Sequence, residues 1–301
     1  MKTDRIIKMA TMLGLIGVAC AAAWASPPGI IVKDGDVIAF LGDSITANGN
    51  HPTGYINLVM EGLEVAGVKG VKKIPAGAGG HKSNNMLARV ERDCLSKQPA
   101  FMTVSCGVND VWHGTNGVPL EAYKENMSGI FDKAAAANVR VMVLTPTMIG
   151  EDPGNENNAK LAAYVDWLVA EAKRRGLLLA DLNAAMHRRL EELRSGPAKP
   201  GKRSANLLTR DGVHMVFAGD CMMAWGILRA FGVPESLKGK IEAAWRAMAR
   251  RPREDSAQVN EAAAVFTGAK PAAARGRSWK VVYSSAEGPQ GRALETITER
   301  L

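Results

Sequence analysis

The sequence predicts an α/β protein: a three-layer α/β/α sandwich around a mostly parallel, five-stranded sheet. Three observations carry this. From residue 36 onward, short apolar runs alternate with longer segments of helical period. Such a βαβ rhythm requires crossovers, which give parallel strands with helices on both faces. Residues suited to chemistry also follow the ends of the first three apolar runs, where sheets of this kind place their sites.

The elements follow in order. Residues 37–41, Val-Ile-Ala-Phe-Leu, form an apolar run suited to a strand buried on both faces. Residues 55–66 read as a helix and 71–74 as a second strand. Residues 84–96 are helical, with Met86, Leu87 and Val90 on one face. Residues 101–105 read as a third strand, 120–137 as a long helix and 139–144 as a fourth strand. Residues 157–175 carry Leu161, Tyr164, Val165 and Leu168 at helical spacing. Residues 177–180 read as a short fifth strand, 183–194 as a helix and 215–231 as the last core helix. The right-handed crossover rule narrows this order to a doubly wound, flavodoxin-like sheet.

The two ends differ from the middle. Lys2, Arg5 and Lys8 precede the apolar stretch 9–23, and Ala23-Trp24-Ala25 provides an A-x-A cleavage site. That is the pattern of a secretory signal peptide over 1–25, with an uncleaved anchor as the alternative. Export, periplasmic or extracellular, is therefore expected, with no stable membrane anchor after cleavage. After Val233-Pro234 the composition shifts. Residues 235–250 suit an amphipathic helix, 250–255 are a charged break, and 262–277 are rich in Ala, Gly, Pro and Arg, as in a linker. Val281-Val282-Tyr283 suggests one more strand. The expected organisation is a leader over 1–25, a main domain over 26–233 and an extension over 234–301.

The chain has 301 residues, 47% of them apolar and 23% charged, which argues against general disorder. Its formal charge of +8 is concentrated at the ends: residues 234–301 alone hold twelve bases and eight acids. No aromatic-interleaved basic stripe or zinc-finger spacing accompanies that charge, so nucleic acid is not an expected partner. Beyond the leader the cysteines are Cys94, Cys106 and Cys221. An odd number leaves at least one thiol free or paired with another chain. Cys106 ends a strand and suits a buried, inert thiol.

Four segments hold the chemistry. Ser44, in Gly42-Asp43-Ser44, follows the first strand at a tight turn into a helix. A serine there suits a nucleophile or a helix N-cap. Asp211 and His214 lie three residues apart, so one turn brings carboxylate and imidazole together. That pair would hold a general base for a serine. Gly80 and Asn109 offer a backbone N–H without an obstructing Cβ and a side-chain amide, the two kinds of donor an oxyanion needs. The spacing of a dinucleotide fingerprint is absent around Gly77-Ala78-Gly79-Gly80. Trp112, His113 and His81 flank the donors and are candidate substrate-binding residues. His51, His81 and His113 have no recognised zinc spacing, so no metal is expected.

Gly42-Asp43-Ser44, Gly80, Gly107-Val108-Asn109-Asp110 and Asp211-Gly212-Val213-His214 together resemble the SGNH (GDSL-type) hydrolase family. The resemblance covers about residues 36–233. It implies Ser44, Asp211 and His214 as catalytic residues, and Ser44, Gly80 and Asn109 as the oxyanion hole. Gly80 is placed by counting back from Met86-Leu87-Ala88-Arg89, with Gly79 as the near alternative. Pro75 stands where the family often has an asparagine. Members need no metal or organic cofactor. The expected function is an exported serine esterase on an acylated small molecule or polysaccharide, foremost a carbohydrate O-acetylesterase. The alternatives are a lipase, lysophospholipase or thioesterase of the same fold, acyl transfer at the same site, or a non-catalytic carbohydrate-binding relative.

Overall fold

The computed structural model describes residues 29–195, 206–250, 280–284 and 295–299. The expected leader and the expected linker over 262–277 lie outside these residues. Two compact units divide the chain, one ending at Arg250 and one beyond it.

The first unit is built on five parallel strands: β1 (Val37–Gly42), β2 (Lys72–Gly77), β3 (Phe101–Ser105), β4 (Arg140–Leu144) and β5 (Leu178–Ala180). Their order is β2-β1-β3-β4-β5, the doubly wound arrangement expected from the crossovers. Ile38, Ala39, Phe40 and Leu41 are wholly buried, because β1 lies inside the sheet with helices on both faces. The register aligns Gly42 with Gly77 of β2 and with Ser105 of β3. Three strands therefore end at one level.

The helices are α1 (Ser44–Gly49), α2 (Tyr55–Val65), α3 (Ser83–Asp93), α4 (Val108–Trp112), α5 (Leu120–Ala136), α6 (Glu156–Arg175), α7 (Leu182–Ser195), α8 (Phe217–Ala230) and α9 (Lys238–Arg250). The start of α2 lacks a cap of its own, and Asp220 of α8 supplies one by accepting the Tyr55 N–H at 2.9 Å. Burial raises the pKa of Asp220 to about 7. Gly62 of α2 lies so close to α8 that an added Cβ would stand 2.4 Å from Leu228.

Three expectations change. The second strand runs to Gly77, past Pro75. An edge strand loses nothing to a proline whose missing N–H faces away from its neighbour. The short helix α4 had no sequence period to reveal it. The expected boundary at 233 falls inside the compact unit. In α9, Ile241 and Trp245 are buried, and the Trp245 indole N–H donates to the Leu58 carbonyl at 2.8 Å. Those residues stand four apart on one helix face, so α9 belongs to the core. In the second unit, β6 (Lys280–Ser284) contains the strand expected near Val281. It pairs antiparallel with β7 (Glu295–Glu299).

Candidate active site

Ser44 is the first residue of α1, immediately beyond the carboxyl end of β1. The turn requires Gly42: a Cβ there would lie 1.9 Å from Thr46 Oγ1. Asp43 is the N-cap, its Oδ1 accepting the Ile45 N–H at 2.9 Å. The capping role therefore falls to Asp43 rather than to Ser44, whose hydroxyl is free for another partner.

That partner comes from 170 residues away. His214 Nε2 lies 2.8 Å from Ser44 Oγ, and His214 Nδ1 lies 2.7 Å from Asp211 Oδ2. Asp211 Oδ1 accepts the backbone N–H groups of Val213 at 3.1 Å and His214 at 2.8 Å. Burial pushes the Asp211 carboxyl up, but these hydrogen bonds together outweigh it and hold the pKa at about 2. A charged carboxylate only accepts, so Nδ1 carries the proton when the ring is neutral. Nε2 then presents its lone pair, and the Ser44 hydroxyl donates to it. Asp211 does not cap the following helix, which starts at Phe217 with Val216 at the cap position. A bridge between Thr209 and Met215 closes the turn at its base.

Gly80 sits on the loop after β2 and Asn109 in the first turn of α4, just after β3, on the two sides of Ser44. Gly80 has φ +70°, a left-handed conformation that favours glycine. Asn109, in α4, donates from Nδ2 to the His81 carbonyl at 3.0 Å. A longer contact of 3.4 Å reaches Asp43 Oδ2. Ser83 donates to Asp110 Oδ1 through its N–H at 3.0 Å and its hydroxyl at 2.6 Å. Lys82 Nζ donates to the Asn116 carbonyl at 2.7 Å. The loops after β2 and β3 are thus bound to each other beside the serine.

Arg89, which the sequence served only to count residues, ties this region together. From a buried position it donates to the carbonyls of Gly42 at 2.7 Å and Ala76 at 2.9 Å, and through Nε to His81 Nδ1 at 3.0 Å. A guanidinium only donates, so His81 Nδ1 bears the lone pair and Nε2 the proton. Burial, with help from Arg89, lowers the His81 pKa. Two buried carboxyls lie behind the loops. Burial raises Asp43 to about 6 and also raises Asp110. Burial likewise pushes the Cys106 thiol well up, and Cys94, Cys106 and Cys221 are all free.

Trp112 is 44% exposed and His113 is also exposed, their rings 6.3 Å apart at the end of α4. Trp112 is three residues beyond Asn109, which places both on one helix face. His81 is half-buried beside Gly80. A cavity of about 340 Å³ lined by Met60, Glu61, Val71 and Met248 shares no residue with this site. Among the described residues, no three His, Cys, Asp or Glu side chains group to hold a metal ion, and no helix is long and apolar enough to cross a membrane.

Known proteins share this architecture. The model of the GDSL-like lipase/acylhydrolase family matches residues 40–219. An acetylxylan esterase from Geobacillus stearothermophilus is 24% identical over 220 residues, which is 67% of this chain and 96% of that protein. The crystal structure of the acetyl xylan esterase AlAXEase is 30% identical, with a TM-score of 0.57 over 64% of this chain and 98% of its own. An α/β hydrolase from the metagenome of Lake Arreo, Spain, is 23% identical, with a TM-score of 0.59 over 68% of this chain and 99% of its own. The family match spans more than half of the chain and contains Ser44, Gly80, Asn109, Asp211 and His214. The chain belongs to the GDSL-like lipase/acylhydrolase family and is a carboxylic ester hydrolase.

Proposed function

We propose that this protein is an exported serine O-acetylesterase acting on acetylated carbohydrate. One observation carries the serine chemistry: His214 bridges Ser44 and Asp211 at 2.8 and 2.7 Å, with the lone pair of Nε2 on the serine side. In the reaction His214 takes the Ser44 proton as Oγ attacks the ester carbonyl. Asp211 holds the ring and stabilises the imidazolium that forms. The tetrahedral oxyanion meets the N–H groups of Ser44 and Gly80 and the amide of Asn109. The second Nδ2 hydrogen of Asn109 makes only the long contact to Asp43, which leaves it available to a stronger acceptor. The imidazolium then protonates the leaving alcohol, and water repeats the sequence on the acyl-enzyme.

Two things support the substrate class. The relatives named above include acetylxylan esterases of similar length to the matched region. Trp112 offers an exposed ring one turn from Asn109, where a sugar can stack while a short acyl group reaches Ser44. A long acyl chain instead needs an apolar groove, worth about 0.8 kcal/mol per buried CH₂. Export rests on the leader pattern of residues 1–25 and is tested by N-terminal sequencing of protein recovered outside the cytoplasm.

The central test pairs Ser44→Ala with a panel of acyl chain lengths. Wild type should be labelled by an organophosphonate and release acetate from acetylated xylan, and the variant should do neither while remaining folded. The expected loss of turnover is on the order of 10⁶. A variant retaining a tenth of wild-type turnover would remove Ser44 from the reaction. A steady rise in kcat/KM from acetyl to octanoyl esters would replace the carbohydrate reading with the lipid-esterase one.

A further inference from the structure

We infer that Glu151 is a positioning residue that holds the Asp211–His214 turn in register with Ser44. The inference rests on the serine-esterase reading and adds a residue to its machinery. Glu151 lies between β4 and α6 and is only 4% exposed. A buried carboxylate is costly unless donors surround it. Here four do. Oε1 accepts the N–H groups of Leu208 and Thr209, each at 2.7 Å, and the Thr209 hydroxyl at 2.8 Å. Oε2 accepts the Leu207 N–H at 2.6 Å. One side chain thus fixes three consecutive residues at the base of the turn that ends in Asp211 and His214. Hydrogen bonds to a charged acceptor are roughly twice as strong as neutral ones, which suits a carboxylate to this task.

The linkage continues in both directions. The Thr209 hydroxyl donates to Glu151 and accepts the Gly212 N–H at 3.1 Å. The Gly150 N–H donates to the Gly212 carbonyl at 2.7 Å. Gly212 sits between Asp211 and His214, so the Glu151 loop grips the turn at its base and at its centre. The loop is itself anchored to α6. Asn158 accepts the Ile149 N–H at 2.9 Å and donates to the Asp152 carbonyl at 2.8 Å, and Asn155 donates to the Ile149 carbonyl at 2.8 Å. Arg194 donates to the Glu151 carbonyl. The path from α6 through Glu151 to His214 is continuous. It ends at the 2.8 Å contact with Ser44.

A misplacement of about 1 Å between reacting groups costs up to about 10²-fold in rate. Glu151→Ala removes all four acceptor contacts. Glu151→Gln keeps the shape and one carbonyl oxygen for the three-donor position, but turns an amide N–H toward that of Leu207. Each enzyme is titrated with an organophosphonate, and kcat and KM for an aryl acetate are expressed per titrated serine. Glu151→Ala should lower kcat by about 10²-fold with KM within about threefold, and Glu151→Gln should fall between it and wild type. The downfield proton of the His214–Asp211 hydrogen bond should shift or broaden in Glu151→Ala. A merely structural role predicts fewer titratable sites with unchanged kcat per site, and that result overturns the inference. So does a loss confined to KM.

If Glu151→Ala does not fold, Thr209→Val decides. It leaves Glu151 and its backbone donors in place and removes the hydroxyl link to Gly212. It should lower kcat per site by about tenfold, and an unchanged kcat sinks the positioning role. Wild type is the reference in every arm. Absence of labelling at Ser44 in wild type defeats the serine reading and this inference with it. An active, labelled wild type beside unaffected variants defeats this inference alone.

Discussion

Replacing Asp211 by asparagine isolates what the carboxylate does from where it sits. Asp211 Oδ1 accepts two backbone N–H groups, at 3.1 and 2.8 Å, while Oδ2 faces His214 Nδ1 at 2.7 Å. An asparagine must keep its carbonyl oxygen on the two backbone donors. Its NH₂ then faces Nδ1, and the ring responds by presenting a lone pair there. The proton moves to Nε2, which points at Ser44 and loses its ability to accept. The same tautomer reversal in a serine protease lowers kcat by about 10⁴, or about 5.5 kcal/mol of transition-state stabilisation. Asp211 has a side chain 46% exposed, so solvent screens the part of its effect that stabilises imidazolium. The tautomer part is not screened. A loss of about 10³–10⁴ in kcat is therefore expected. Both backbone acceptor contacts survive, so the fold should survive too. Initial rates on an aryl acetate measure the first quantity and thermal melting the second. A kcat within about tenfold of wild type in a folded variant would refute the reasoning. Asp211→Ala is the contrast: it orphans the two N–H groups and should lower the melting temperature as well.

Other outcomes follow from the same structure. Asn109→Ala should lower kcat by roughly 10²–10³ with little change in KM, because an oxyanion donor acts in the transition state. A KM effect with kcat intact would move Asn109 to ground-state binding. Burial raises Asp43 to about 6 and Asp220 to about 7, so both carboxyls bind protons more tightly folded than unfolded. Their stabilising effect is complete below about pH 4 and disappears as pH rises through 6 to 7. Asp220→Asn keeps an acceptor for the Tyr55 N–H without the charge. It should melt like wild type near pH 4.5 and above it at pH 8; a lower melting point at pH 8 would contradict this. A chain ending at Val233 loses Ile241 and Trp245 from the core. Large-to-small changes at such sites cost about 2–5 kcal/mol each, a large share of the roughly 5–15 kcal/mol of a whole domain. That chain should melt far below one ending at Arg250 or be insoluble, and equal melting of the two would show α9 to be dispensable.

What was legible in the sequence was local. The five strands stood out because apolar runs between helical segments have few other uses in a parallel sheet. Asp211 and His214 stood out because a spacing of three fits one turn, and Ser44 because it follows a buried strand. Arg89 and Glu151 did not stand out, for a common reason. Many of their partners are backbone groups: the carbonyls of Gly42 and Ala76, two of the four partners of Arg89, and the N–H groups of residues 207–209, three of the four donors to Glu151. Every residue but proline carries both groups, so no residue type marks the receiving end. The boundary at 233 misled because the amphipathic pattern of 235–250 reveals an apolar face but not that Ile241 and Trp245 bury it against the core, beside Leu58.

These two kinds of placement have different consequences for the site. Gly42 is level with Gly77 and Ser105 in the sheet, so the segments bearing Ser44, Gly80 and Asn109 leave three adjacent strands at one height. The order β2-β1-β3 alone makes neighbours of Ser44, Gly80 and Asn109, and Arg89 and Asn109 then tie the connecting segments together. The Asp211–His214 turn has no such support. It arrives after α7, beyond β5, the last strand of the parallel sheet, and is held by the segment between β4 and α6. Damage to the sheet should therefore remove fold and activity together. Damage to the Glu151 linkage should separate them, leaving a folded protein with Ser44 in place and its base out of reach.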